Sequence, residues 1–158
     1  MKATLELLQA IYQTVGQGMI TIDEDSTILM ANPHVVDVWG YTPEDLIGQS
    51  VTMLMPARYR DRHKAGLKQY AQTRQGDAIS EWLEVEGLKK DGTIFPLEIR
   101  IEETPLDDRL VFTAAVRDHS EHNRIIAAAK ANQKRLRDQV RELKRENERL
   151  YQLMADKR

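Results

Sequence analysis

The sequence contains no cysteine. That excludes disulfides, thiolate metal sites, cysteine nucleophiles and flavin–cysteine photochemistry. It also fits a reducing compartment. Glycine and proline are confined to one part of the chain. All eight glycines lie at or before Gly92 and all five prolines at or before Pro105, so the far end has no helix breakers. Aromatic residues make up 6%. No apolar run approaches the roughly 18 residues that a membrane helix needs. The N-terminus lacks a hydrophobic signal-peptide core. The expectation is a soluble, cytoplasmic chain with no membrane span. Charge is abundant instead, at 30% of residues, and it is uneven. Residues 1–118 carry 12 Lys/Arg against 19 Asp/Glu, a net of −7; residues 119–158 carry 11 against 6, a net of +5. An acidic body with a basic tail argues against a nucleic-acid domain, which needs concentrated Lys/Arg for phosphate. The length of 158 residues suits one domain and an appendage.

Leu5, Leu8, Tyr12 and Val15 recur at helical spacing, so residues 3–15 read as a short amphipathic helix that Gly16 and Gly18 end. Residues 19–22 and 27–30 read as a hairpin across Asp23-Glu24-Asp25-Ser26. Asn32-Pro33 reads as a helix start, with Asn as N-cap, and Gly40 stops it. Thr42-Pro43-Glu44-Asp45 starts another helix that Gly48 stops. Pro56 opens a longer helix to about Thr73, and Gly76 closes the segment. Residues 79–88 and 93–103 read as strands joined by Lys90-Asp91-Gly92, since Asp-Gly tolerates the positive φ of hairpin turns. A loop from Pro105 to Asp108 leads to a strand from Leu110 to Val116. This order gives an α+β fold with a sheet of about five strands.

From residue 122 the chain reads as one helix, roughly 55 Å long. With Val140 at heptad position a, that position also takes Ile126, Gln133, Asn147 and Met154. Position d takes Ala129, Leu136, Leu143 and Leu150. Val at a with Leu at d favours a two-stranded parallel coiled coil, and a lone Asn at a fixes register and strand number. The expected partner is a second copy of the chain, since the e and g charges pair too poorly to select another.

Enzyme motifs are missing. Gly16-Gln17-Gly18 lacks the third glycine of a dinucleotide loop and does not follow a strand, and there is no His-Glu-x-x-His. His34 reads as surface. His119 and His122, three apart, read as a solvated pair where the last strand becomes the long helix. The acid pairs Glu102-Glu103 and Asp107-Asp108 read as solvated. His63 differs. It lies mid-helix among Arg58, Arg60, Arg62, Lys64 and Lys68, with Asp61 the lone acid. Tyr59, His63, Leu67 and Tyr70 share the apolar stripe of that helix. A histidine facing a pocket among cations suits an anionic planar ligand, with imidazole able to bind iron. A structural histidine bonded to a nearby backbone group is the alternative.

Several segments together resemble a known family. They are Gly18-Met19-Ile20-Thr21-Ile22-Asp23, Ala31-Asn32-Pro33, Trp39 through Gly48, Leu54-Met55-Pro56, Lys89 through Thr93, and Val116-Arg117-Asp118-His119-Ser120. The chain resembles a PAS sensory domain, over about residues 3–122, followed by a signalling helix. The resemblance implies a five-stranded antiparallel sheet with helices on one face, enclosing a ligand pocket. It implies a dimer and a downstream output domain, a histidine kinase or a cyclic-dinucleotide enzyme. Asp118, His119 and Ser120 match the family's junction between the final strand and the output helix. The implied division is an N-terminal helix over 1–16, the PAS domain over 17–120 and a coiled-coil signalling helix over 121–158.

Leu54-Met55-Pro56 followed by Arg60-x-x-His63 is similar to the haem-binding members, the rhizobial oxygen-sensor kinases in particular. In those, a histidine at the place of His63 is the proximal iron ligand. Two positions depart from the pattern. Leu83 stands where those sensors carry a distal arginine, and Gln69 where they carry a basic residue near the propionates. The implied pocket residues are Tyr59, His63, Leu67, Tyr70 and Leu83, and the implied occupant is haem b, another small molecule or none. Two functions stay open: a ligand sensor, and a cofactor-free dimerisation or interaction module.

Overall fold

The computed structural model describes residues 2–74, 81–106 and 109–155. It falls into two units, residues 1–120 and 121–158. In the first, helix α1 (Lys2–Thr14) precedes the hairpin β1 (Gly18–Asp23) and β2 (Ile28–Ala31). Two short helices follow, α2 (Val35–Trp39) and α3 (Pro43–Leu46), then a 3-10 turn at Val51–Leu54 and the long α4 (Ala57–Thr73). Strands β3 (Trp82–Leu88), β4 (Ile94–Leu106) and β5 (Arg109–Asp118) complete a five-stranded antiparallel sheet in the order β2-β1-β5-β4-β3.

Alternation along the strands builds the core. Ile20 and Ile22 of β1, Phe95 and Leu97 of β4, and Leu110, Phe112 and Val116 of β5 are buried against Val35, Val38, Trp39, Leu46 and Leu54. The sheet therefore buries one face under α2, α3 and the 3-10 turn, where Leu67 and Tyr70 of α4 also pack. Burial is not confined to that face, since Thr21 of β1 and Val111 of β5 are buried as well. At Gly87 a Cβ would stand 2.3 Å from Leu97 and 2.6 Å from Phe95, so β3 can sit beside these core side chains only with glycine there. The expected turn is present: Gly92 has φ +88°, and the Thr93 amide donates to the Asp91 carboxylate at 2.9 Å.

Two local expectations change and one holds. Asn32 does not cap α2; His34 occupies that place without a side-chain cap bond. Thr42 does cap α3, in a capping box with Asp45. Pro105 and Leu106, expected in a loop, are strand residues instead, paired with Leu110 and Arg109. Trp82, where β3 begins, pairs with Arg100, so among the described residues β4 beyond Arg100 is flanked by β5 alone. A proline costs no ladder bond at such an edge. The expected strand residues 79–80, Gly76 and the Asp107-Asp108 pair lie outside the described residues.

The second unit is carried by helix α5, which runs from Ser120 to Ala155, 36 residues without a break. Ile126, Leu136, Val140, Leu143, Leu150 and Met154 are all exposed, as is Asn147. Among the described residues no helix is long and apolar enough to cross a membrane.

Candidate functional site

Helix α4 turns one side inward. Tyr59, Arg60, His63, Leu67, Tyr70 and Ala71 are half-buried, and the residues between them are exposed. This spacing follows from 3.6 residues per turn. Leu67 packs on the core, and Tyr70 meets Phe112 edge-on, with ring centroids 5.8 Å apart and an interplanar angle of 73°. The Tyr59 hydroxyl and the Arg58 guanidinium both donate to the Glu86 carboxylate on β3. That clamp holds the Glu86 carboxyl below its ordinary range, through Tyr59 first and Arg58 second. Arg60 Nε donates to the Met55 carbonyl at 3.4 Å. At the far end Arg74 pairs with Glu103 at 3.2 Å.

His63 sits between these two anchor points. Its Nε2 is buried and has no hydrogen-bond partner among the described residues. Burial pushes its pKa below the ordinary imidazole value, so the neutral form is favoured. A neutral imidazole with a free nitrogen can ligate a metal. His63 Nε2 is thus a candidate metal-ligating atom. Leu83 on β3 lies opposite Ile99, which packs against the core. Its neighbour Trp82 lies opposite Arg100, and the Arg117 guanidinium stacks 4.0 Å from the Trp82 ring. Glu86 is the site residue that the sequence did not single out, because an exposed-looking acid on an alternating strand carries no signal of its helix partner.

The junction of β5 and α5 is tied to the β3–β4 hairpin at several points. Asp118 accepts from Lys89 Nζ at 2.9 Å and from the Ser120 amide at 2.8 Å. Burial pushes its pKa up, but the bonds from Lys89 and Ser120 outweigh this and hold it low. The His119 amide donates to the Pro96 carbonyl at 3.0 Å. Its imidazole is not solvated as a pair with His122 would be. Nε2 lies 3.0 Å from Glu98 and Nδ1 lies 3.8 Å from Glu84, with the side chain 18% exposed. That meeting was readable in principle: a hairpin turning at Asp91-Gly92 sets Glu84 opposite Glu98.

The family model described as the PAS fold matches residues 6–119. The chain belongs to the PAS family. PAS domains are regulatory sensor modules. The sensor protein FixL of Bradyrhizobium diazoefficiens is 33% identical over 115 residues, covering 73% of this chain and 23% of FixL. An uncharacterised protein of Azorhizobium caulinodans is 33% identical over 114 residues, covering 72% of this chain and 16% of that protein. The oxygen sensor protein DosP of Escherichia coli is 28% identical over 108 residues, covering 65% of this chain and 13% of DosP. The chain thus spans less than a quarter of each of these relatives. Among solved structures, the PAS domain of a Colwellia psychrerythraea protein superposes with TM-score 0.63 at 19% identity, covering 75% of this chain and 98% of that one. The PAS domain of an HTR-like protein from Haloarcula marismortui does so with TM-score 0.59 at 22% identity, covering 74% and 93%. These likenesses support the fold alone, and the five-stranded sheet of this PAS domain agrees with them.

Proposed function

We propose that this PAS domain is a haem-binding sensor that controls a downstream output domain through a dimeric α5. The observation that carries the reading is the His63 imidazole, with its Nε2 buried and, among the described residues, unpartnered on the inward side of α4. A buried polar nitrogen without a partner costs free energy. Iron ligation would offset that cost, and burial already keeps the ring in its ligating form. Similarity to the sensor protein FixL and the oxygen sensor protein DosP supports the same reading. Tyr59, Leu67, Tyr70 and Leu83 would wall the site, and Arg62, Lys64 and Lys68 supply cations on the same helix for propionates. Haem would supply a gas- or redox-responsive iron. The residues of this chain would hold it and pass its state to the junction Asp118-His119-Ser120. The output would be a histidine kinase or a cyclic-dinucleotide enzyme, and the setting cytoplasmic.

A second reading, a cofactor-free dimerisation module, is favoured by one observation: Leu67 and Tyr70 of α4 pack directly against the core. Reconstitution with haem separates the two. The parent should take up one haem per chain and show a defined Soret band, and His63→Ala should lose it. If the parent takes up none at stoichiometric amounts, the haem reading fails and His63 is structural. An unchanged spectrum in the variant would move the iron to another ligand.

A further inference from the structure

Two glutamates face one another on the sheet. Glu84 of β3 and Glu98 of β4 are direct cross-strand partners, an arrangement in which like charges destabilise a sheet. Arg117 of β5 stands opposite Glu98, but its guanidinium lies over the Trp82 ring at 4.0 Å. What both carboxylates do face is His119, through Nε2 to Glu98 at 3.0 Å and through Nδ1 to Glu84 at 3.8 Å. The three side chains offer ligand atoms that all lie within 4.8 Å of one another. Two of the three are well covered: His119 is 18% exposed and Glu98 21%, while Glu84 is 75% exposed.

We propose that Glu84, Glu98 and His119 bind one divalent transition-metal ion, with zinc the best fit. One imidazole nitrogen and two carboxylate oxygens suit zinc and its neighbours better than magnesium or calcium, which prefer oxygen alone. Zinc bonds of about 2.0–2.2 Å in a tetrahedron set donors roughly 3.4 Å apart. The His119–Glu98 separation already has that scale, and Glu84, being exposed, is the arm that swings in. Three protein ligands leave a fourth position for water. The ion would cancel the repulsion between the two strands. It would also bind the residue that joins β5 to α5 onto both arms of the β3–β4 hairpin. The site is separate from His63 and does not depend on haem.

The test uses the full chain, stripped of metal and titrated with zinc against a chromophoric chelator. One equivalent should bind per chain. Glu84→Gln and Glu98→Gln should each weaken binding by about tenfold or more, and His119→Ala should abolish it. Zinc should raise the melting temperature of the parent and leave that of His119→Ala unmoved. Cobalt should give visible bands in the parent that the glutamine variants alter. His34→Ala should bind as the parent does, since His34 faces Asp37 instead. Binding no tighter than in His119→Ala overturns the proposal and leaves His119 as a hydrogen-bonding bridge between the strands. Loss of binding in His122→Ala with Glu84→Gln unaffected overturns it too, and moves the ion to the histidine pair.

Discussion

Asn32 is fully buried, and its amide makes three hydrogen bonds. Oδ1 accepts from the Met19 amide at 2.9 Å, and Nδ2 donates to the Gln17 carbonyl at 2.9 Å and the Tyr12 carbonyl at 3.1 Å. One side chain thus fastens the end of α1, the linker and the start of β1 to the end of β2. Asn32→Ala should remove these bonds and leave buried backbone groups unsatisfied, at a cost of about 3 kcal/mol. Urea unfolding at fixed protein concentration would measure it, and a loss under about 0.5 kcal/mol, the size of a surface change, would contradict the clamp. The sequence showed Asn-Pro and suggested an N-cap, because a cap uses the amide oxygen alone. The fold uses oxygen and nitrogen together, on segments that are distant in sequence, and no local pattern reports that. His63 was legible for the opposite reason. Its inward position follows from helical period within α4, though the lack of a partner for its Nε2 among the described residues depends on tertiary packing.

At the scale of elements, periodic segments read well and edges read poorly. Helices α1, α4 and α5 and the Asp91-Gly92 hairpin stand where the spacing and turn chemistry placed them. Strands β4 and β5 run longer than expected because Pro105 looked like a breaker, and its tolerance depends on where β3 begins. The 3-10 turn at Val51–Leu54 was missed. It depends on Ser50, whose hydroxyl accepts from the Thr52 amide and whose backbone bridges to Thr27. Helix α5 carries the clearest element-scale consequence. Its seam leaves Leu136 58% and Leu143 64% exposed in a single chain. A second copy in parallel would cover that stripe in register. Truncation after Asp118 should therefore weaken self-association in light scattering; equal association would shift the contact to α1, where Leu5, Leu7, Leu8 and Ile11 are also exposed. Asn147→Leu should raise the melting temperature and broaden the range of oligomers, since a buried Asn costs stability and supplies specificity.

For the molecule as a whole, the decisive feature is how the sheet hands over to α5. Asp118 is held by Lys89, and the His119 backbone by Pro96, so a shift of the β3–β4 hairpin must move the first residue of α5. The same hairpin carries Glu86, which holds Tyr59 and Arg58 at the start of α4, the helix of His63. A physical chain of contacts thus joins the candidate ligand site to the junction of β5 and α5. If the two copies of α5 form a coiled coil, the hand-over reaches the output as a rotation of the seam. Each added residue turns a helix by about 100°, while seven restore the seam to within about 20°. With its output domain attached, one residue inserted between Glu121 and Gln133 should invert or abolish regulation. Seven inserted there should largely keep it, as read by output activity with and without ligand. If both insertions behave like the parent, α5 acts as a tether, and the contacts at Asp118 and His119 hold the fold together without carrying a signal.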